Sequence, residues 1–298
     1  MTQNRFDQAS RYAAKLDPHG FLIWLFAPEP LPLLFFGWLD TRTLPFPGDP
    51  DRTCDTVAWL AQPDGSEPWA VPLEFSLEPD ATMFGRMLEY LGRLWLERRP
   101  PTDQSGRYQV VAAVVNLTGH GQASRDMQLG GGRTCLQVIE RDLAGKDATT
   151  VLAEIAAGRI ARCVLAWVPL MRGGADSAIL ERWKELAGTE ADASRRSDYG
   201  GLALVFAEAA GRAQSWKEAL KEWNMVESQV VLGWINQGKA SGKAEALLRL
   251  LQKRFPPGAP ADLAADIKAC QDPEALSRWF DAALDATALD DFRKSMSA

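Results

Sequence analysis

Apolar and polar residues alternate in two short segments around residue 65, and this pattern predicts a β-hairpin. The two strand segments and the turn between them are CDTVAWLA (54–61), PDGS (63–66) and WAVPLEFS (69–76). Alternation is typical of half-buried strands, and Asp-Gly between two such strands is a strong hairpin signal. If Asp64 and Gly65 form a two-residue turn, Asp55 lies directly opposite Glu74 across the hairpin.

Further strands are predicted where apolar residues follow one another with little interruption. They cover a segment near 33–39, the nearly continuous apolar segment 108–117, and 134–143 after a glycine-rich loop. A segment that is apolar throughout is typical of a central strand buried on both faces. Beyond about residue 146 the pattern becomes helical.

Apolar residues spaced three and four apart predict helices. Helix 5–17 and helix 81–98, with Asp80 as the N-cap of the second, accompany the strands. The other predicted helices are 148–157, 176–187, 197–212, 214–237, 243–255, 261–269 and 273–284. This order of elements, with strands first and helices afterwards, predicts an α/β core followed by a helical half.

Three parts are therefore predicted: a core over 1–146, a helical extension packed on it over 147–240, and a small C-terminal helical module over 241–298. Glycines 238 and 242 predict a hinge at about 238–243. The module has enough apolar residues to close a core of its own: Leu247, Leu248, Leu251, Phe255, Leu263, Ile267, Leu276, Trp279, Phe280 and Leu284.

A heptad-like row of apolar residues follows the predicted helix 214–237. Its members are Trp216, Leu220, Trp223, Val230 and Trp234. Such a row packs either against its own domain, which we favour, or against a second copy in a homodimer.

Composition narrows the classes of function. With 33 basic and 39 acidic residues the net charge is −6, which argues against a positively coated nucleic-acid-binding protein but allows a local basic groove. Two histidines exclude a His-rich metal site, and four widely spaced cysteines fit reduced thiols in a cytoplasmic protein.

The apolar run 21–26 is far shorter than the roughly 20 residues that span a bilayer, so no membrane partner is expected. P-loop, GxSxG, HExxH and EF-hand patterns do not occur.

The facing acids of the hairpin are the main candidate site. Cross-strand neighbours have Cβ atoms about 5 Å apart, so Asp55 and Glu74 repel each other unless a cation lies between them. Hard carboxylate oxygens at that separation suit Mg²⁺ or Mn²⁺. Ser76 points to the same face as Glu74, and Arg86 lies on a polar stripe of the next helix, where it can contact phosphate. The alternative is two solvent-facing acids on the polar side of an ordinary hairpin.

The order of these residues resembles the PD-(D/E)XK nuclease superfamily, and most of all its Rpn-type branch of recombination-promoting nucleases and putative transposases. The matching positions are Asp55 on one strand, Glu74-Phe75-Ser76 at the end of the next, Pro79-Asp80, and Arg86 with Tyr90 on the helix that follows. The segment FDQASRYAAKLDP resembles the opening helix of that branch, which would make Asp7 the helix acid. The C-terminal segment resembles the small helical module that often ends such proteins.

This resemblance implies a restriction-endonuclease-like mixed sheet of about four or five strands with helices on both sides. It implies a Mg²⁺-dependent DNA endonuclease in which Asp55 and Glu74, with Asp7, bind the metal. Ser76 would orient the attacking water, and Arg86 would stabilise charge on the phosphate. Because the sequence holds no base-reading motif, DNA is expected to be bound mainly through its backbone.

Ser76 departs from the family pattern, which has Lys at this position in the superfamily and commonly Gln in the Rpn-type branch. Serine can orient a water molecule by a hydrogen bond but carries no charge. The alternative function is therefore a catalytically degenerate nuclease fold that serves as an interaction or DNA-binding module. Transposition proper is a third interpretation, for which the sequence offers no sign of strand transfer.

Overall fold

The computed structural model describes residues 2–28, 34–39, 54–63, 67–100, 106–225, 228–256, 258–270 and 272–296. The predicted turn residues Asp64 and Gly65 lie outside these ranges. Contacts divide the chain into two compact units, Met1–Asn224 and Met225–Ala298, so the boundary precedes the predicted start of the C-terminal module at 241. None of the described helices has the length and apolar character needed to cross a membrane.

A mixed six-stranded sheet forms the centre of the first unit. The strands of this unit are β1 (Leu34–Leu39), β2 (Thr56–Ala61), β3 (Trp69–Ser76), β4 (Gln109–Val110), β5 (Ala113–Asn116), β6 (Arg125–Leu129), β7 (Gly132–Leu136) and β8 (Ile139–Asp142). The main sheet has the order β1-β2-β3-β5-β8, with β4 also paired to β3, while β6 and β7 form a separate ribbon. Strands β1 to β3 are antiparallel, whereas β3, β5 and β8 are parallel. The chain is thus α/β with a mixed sheet, as predicted.

Helices cover both faces of this sheet. The helices of the chain are α1 (Thr2–Leu16), α2 (Pro18–Phe26), α3 (Met83–Glu97), α4 (Ala148–Ala156), α5 (Ser177–Gly188), α6 (Ala193–Ala209), α7 (Ala213–Ala219), α8 (Gln229–Arg254), α9 (Ala261–Ala269), α10 (Pro273–Asp285) and α11 (Leu289–Met296). On one face, Met87 of α3 belongs to the same buried cluster as Ala70 of β3. On the other face, Phe75 of β3 packs against the rings of Phe21 and Trp167, the latter from a 3₁₀ segment over Arg162–Leu170. Strand β3 is therefore buried on both sides.

The apolar segment predicted as one central strand is divided into β4 and β5, which both pair with β3 in the same register. The break lies beside Pro72. The carbonyl of Pro68 accepts from the N–H of Gln109, and the carbonyl of Ser76 accepts from that of Leu117, so alternate backbone groups of β3 face these strands. Pro72 belongs to this alternate set but has no N–H to donate, which explains the interruption.

The prediction of one strand over 134–143 is wrong. Its first part is β7, which pairs with β6 in the ribbon, and only Ile139–Asp142 joins the main sheet. The ribbon is exposed along almost its whole length. Gly130 forms its turn with a φ of 56°, a conformation that favours glycine.

The helix predicted over 214–237 and the hinge after it are also wrong. Helix α7 ends at Ala219, and α8 then runs without a break from Gln229 to Arg254. Gly238 and Gly242 both lie inside α8. A glycine inside a helix costs only about 1 kcal/mol relative to alanine, so the two glycines do not interrupt it.

The heptad-like row does not lie on one helix. Trp216 and Trp223 belong to the first unit, where their indole N–H groups donate to backbone carbonyls of the same unit. This agrees with packing against their own domain. Val230 and Trp234 lie outside the residues whose side chains are described.

The second unit has a hydrophobic core of its own, as predicted for the module. Its buried residues are Ala240, Ala244, Leu247, Leu251, Leu263, Ile267, Leu276, Ala283, Ala286 and Phe292. Leu248, Phe255, Trp279 and Phe280 pack against this cluster while partly buried. The inclusion of Leu284 was wrong, because its side chain is 47% exposed.

Candidate functional site

Asp55 and Glu74 lie side by side where β2 begins and β3 ends. The last strand pair before them is Thr56 with Leu73, which matches the predicted register. The backbone N–H of Asp55 donates to Glu74 Oε1 at 3.1 Å, and the N–H of Phe75 donates to Asp55 Oδ2 at 3.0 Å. Each carboxylate is thus held by a backbone group of the opposite strand. Glu74 is 2% exposed, so the interpretation of two solvent-facing acids is wrong.

Arg86 connects this pair to the loop that follows β3. Its Nη2 donates to Glu74 Oε2 at 2.5 Å, and its Nη1 donates to Asp80 Oδ2 at 3.0 Å. A longer bond of 3.4 Å reaches the hydroxyl of Tyr90, one helical turn further along α3. The sequence placed Arg86 near the acids, but the ion pair with Asp80 was not predicted.

The sequence predicted Asp80 as the N-cap of α3, and this prediction is wrong. The helix begins at Met83 with Thr82 at the capping position. The carboxylate of Asp80 accepts instead from the backbone N–H and the hydroxyl of Thr82, both at 2.7 Å. Its second oxygen is then free to bind Arg86.

Helix α1 contributes Arg11 and Asp7 to the same place. Arg11 Nη2 donates to Asp55 Oδ1 at 2.7 Å. Burial and the neighbouring charge of Asp55 raise the pKa of Asp7 to about 6. Sequence reasoning included Asp7 but missed Arg11, although the two are four residues apart and so share a face of α1.

Ser76 lies beside the acids, but its hydroxyl already has a partner. Its Oγ donates to the carbonyl of Glu78 at 2.5 Å, and the residue is 8% exposed. The hydrogen bond closes the tight turn by which the chain leaves β3. In this arrangement the hydroxyl proton is not available to a water molecule, although the oxygen can still accept.

The electrostatics of the site are those of crowded carboxylates. Burial and the charge of Asp55 raise the pKa of Glu74 to about 8, against the opposing effect of Arg86. Burial also raises the pKa of Asp55, while Arg11 lowers it. Burial lowers the pKa of Arg86, but the adjacent Glu74 outweighs this and raises it. The two arginines therefore compensate only part of the negative charge.

These side chains line a cleft of about 470 Å³. Its acidic and basic lining residues are Asp7, Asp55, Glu74, Glu78, Asp80 and Arg86. Within the described ranges, no group of three or more His, Cys, Asp or Glu side chains is arranged to hold a metal ion. The donor chemistry nevertheless fits a hard cation, because Asp7, Asp55 and Glu74 offer only carboxylate oxygens. As the side chains stand, Arg11 binds one oxygen of Asp55 and Arg86 binds one oxygen of Glu74.

A polar cluster that the sequence did not predict lies at the ends of the neighbouring parallel strands. Asn116 Nδ2 donates to Asp142 Oδ1 at 2.7 Å, and His120 Nδ1 lies 3.1 Å from Asp142 Oδ2. Asn116 pairs with Ser76 in the sheet, so this cluster shares the sheet edge with the acids. The only sequence signal was that Asn116 and Asp142 each lie one residue before the end of a predicted strand.

Comparison with protein-family models, curated proteins and solved structures found no match to this chain. The chemistry of the cleft is therefore what supports a function.

Proposed function

We propose that this protein is a metal-dependent phosphodiester hydrolase of the PD-(D/E)XK type that cleaves DNA as an endonuclease. The observation that carries the proposal is the pair Asp55 and Glu74, held at adjacent strand ends in an open cleft beside Arg86. Paired carboxylates next to a guanidinium combine metal ligands with a phosphate-binding group.

The order of elements supports the same proposal. Helix α1 is followed by the antiparallel strands β1 to β3, then by α3, and then by β5, which is parallel to β3. A restriction-endonuclease-like core is expected to have a mixed sheet of this kind with its acids on the second and third strands. Glu74 lies on β3, and Asp55 immediately precedes β2.

The excess negative charge supports a cation in the cleft. The pKa of Glu74 is raised to about 8 and that of Asp7 to about 6, so keeping both ionised at neutral pH is unfavourable without compensation. Asp55, Glu74 and Asp7 would hold Mg²⁺ or Mn²⁺. When bound, such an ion lowers the pKa of a coordinated water and neutralises charge on the phosphate.

The residues of the chain would then have separate tasks. Arg86 would remain anchored to Asp80 and would offer its other donors to a phosphate oxygen. Ser76 accepts a hydrogen bond from the attacking water while it donates to Glu78. DNA is bound through backbone phosphates, because the cleft presents charge rather than base-reading side chains.

One observation favours the second candidate, a nuclease fold without catalysis that serves as an interaction or DNA-binding module. All four carboxylate oxygens of Asp55 and Glu74 already have a partner, from Arg11, Arg86 or the backbone. A site satisfied in this way can be stable without metal.

Plasmid cleavage by the purified full chain tests the proposal. Supercoiled DNA is incubated with Mg²⁺, Mn²⁺, Ca²⁺ or no metal, and nicked and linear products are measured over time. The proposal expects cleavage with Mg²⁺ or Mn²⁺ only, and loss of cleavage in Asp55→Asn. A protein that is inert under all conditions and shows no Mn²⁺ binding by calorimetry would support the second candidate.

A further inference from the structure

A second cleft of about 470 Å³ lies in the first unit, where the end of α2, strand β8 and the start of α4 meet. It has no lining residue in common with the acidic cleft. Its charged lining residues are four cations and two acids: Arg141, Lys146, Arg159, Arg172, Asp147 and Glu154. The chain as a whole carries a net charge of −6, so a cleft with excess positive charge runs against the general composition.

The two acids are both engaged by arginines. Arg159 Nε lies 2.6 Å from Glu154 Oε2, and Arg172 Nη2 lies 3.6 Å from Asp147 Oδ1. These pairs leave two positive groups, Arg141 and Lys146, for which no ion pair is found among the described residues. The uncompensated charge of the cleft is therefore positive and concentrated at one place, where β8 leads into the start of α4.

Arg141 is the more constrained of the two cations. Its Nη2 donates to the carbonyl of Ala27, which fixes the guanidinium at the cleft wall. Burial lowers the pKa of Arg141, as expected for a partly desolvated cation without an acidic neighbour. A positioned, partly buried guanidinium with free donors is a strong binding group for carboxylate, sulfonate or phosphate.

Apolar residues also line the cleft. Ile23 is 50% exposed on α2, and Trp24, Val151 and Ile160 line the same space. An exposed aliphatic side chain such as Ile23 inside a concave site supplies the apolar contact that small-molecule sites commonly show. The volume is within the range of clefts that enclose a small organic molecule.

We propose that this cleft binds an organic anion with an apolar body. The acidic group of the ligand lies at Arg141 and Lys146, and its apolar part covers Ile23 and Trp24. This site is independent of the proposed nuclease activity, because it is formed by other residues.

Two fluorescent probes test this proposal on the full chain. 1-Anilinonaphthalene-8-sulfonate has an aromatic body and one sulfonate, and N-phenyl-1-naphthylamine has the same body without the charge. We expect saturable binding of the sulfonate at one site and at least about tenfold weaker binding of the neutral probe, since a hydrogen bond to a charged group contributes that much.

Variants locate the binding. Arg141→Gln should weaken sulfonate binding at least about tenfold, Arg141→Lys should restore part of it, and Lys146→Gln should weaken it by a smaller factor. Arg182→Gln makes the same change of charge at an exposed arginine on α5 that pairs with Glu185, and should leave binding unchanged. If Arg141→Gln loses its cooperative thermal transition, Arg141→Lys and Lys146→Gln test whether these cations bind the sulfonate. Arg141→Lys keeps a donor for the carbonyl of Ala27, and Lys146 is exposed, so both variants should fold.

Two results would overturn the proposal. One is equal binding of the charged and the neutral probe, which would show that no cation takes part. The other is sulfonate binding that is absent, or that is unchanged in both Lys146→Gln and the folded Arg141 variants.

Discussion

The backbone N–H of Asp55 donates to the carboxylate of Glu74, so the second acid is positioned by the strand that carries the first. The N–H of Phe75 donates in return to Asp55. Both acids are therefore held by backbone hydrogen bonds between the start of β2 and the end of β3. Sites built on strands hold their geometry better than sites built on loops, which suits a pair of metal ligands.

If the cleft hydrolyses DNA, Asp55→Asn and Glu74→Gln should each abolish cleavage, because each removes an anionic metal ligand. The measurement is the initial rate of plasmid nicking at saturating Mg²⁺ or Mn²⁺, with the thermal transition of each variant recorded. Glu89→Gln on α3, where Glu89 pairs with Arg93 at the surface, is the matched control and should cleave normally. Cleavage that persists in Asp55→Asn would point to a contaminant or to another site.

Ser76→Ala should reduce the cleavage rate by about fivefold, since it removes the hydrogen bond to the attacking water, and the free energy of unfolding by about 1 kcal/mol, since it removes the hydrogen bond to Glu78. Ser76→Lys should keep or raise activity by restoring the charge that the superfamily has here. Activity per folded molecule separates the two effects of Ser76→Ala. A rate that falls only in proportion to the unfolded fraction would restrict Ser76 to its bond with Glu78.

At about pH 9, above the pKa of about 8 of Glu74, Arg86→Gln should lower the free energy of unfolding of the metal-free protein by about 3 kcal/mol, because it leaves the buried, ionised carboxylate of Glu74 without its cation. In the double variant Arg86→Gln, Glu74→Gln much of this loss should be recovered. Urea unfolding of the wild type, both single variants and the double variant gives the coupling energy. Arg182→Gln, at the exposed pair with Glu185, should cost no more than about 0.5 kcal/mol. Additive effects of the two site substitutions would contradict the ion pair.

The metal-free protein should lose stability as the pH rises through the neutral range. The pKa of Glu74 is about 8 in the folded chain and 4.5 ordinarily, so the folded state binds the proton more tightly. The stability that protonated Glu74 contributes to the folded state is fully present below the ordinary pKa and is lost as the pH rises to about 8. Urea unfolding at a series of pH values measures this, and Glu74→Gln should flatten the profile between those limits. A wild-type profile that matches that of Glu74→Gln over this window would show that the pKa of Glu74 is not raised.

Gly242→Ala should stabilise the protein by about 0.5–1 kcal/mol, because alanine is the better helix former and α8 continues through this position. A Cβ at Gly242 meets no atom within 4 Å. The matched control is Gly258→Ala in the same unit, which should destabilise, since Gly258 has a φ of 108°. Thermal melting of both variants decides between a continuous helix and a hinge. Destabilisation by Gly242→Ala would favour the hinge.

The register of the acidic hairpin could be predicted because two local signals agree. Alternation sets the face of each residue, Asp-Gly sets the turn, and together they place Asp55 beside Glu74. The partners of the acids could not be predicted in the same way. Arg11 reaches Asp55 only through the packing of α1 on the sheet, which no local pattern encodes.

The ribbon of β6 and β7 was missed for a physical reason. Its residues are exposed on both faces, so the sequence has no alternation between a core side and a solvent side. The glycines that form its turn were the only signal. In α8 the sequence signal was misleading. Gly238 and Gly242 predicted a hinge, but a glycine costs little in a long helix, and α8 continues through both.

The position of β3 at the junction of the antiparallel and parallel halves has a consequence for how the chain folds. Pairing with β2 joins Leu60 to Trp69, whereas pairing with β5 joins Leu73 to Ala113. Closing the longer loop, of roughly 40 residues, costs more chain entropy and comes later in a search that begins with local contacts. The hairpin with both acids should therefore acquire amide protection before β5 and β8 join it. Pulsed hydrogen exchange during refolding would detect that order, and simultaneous protection of β2 and β5 would refute it.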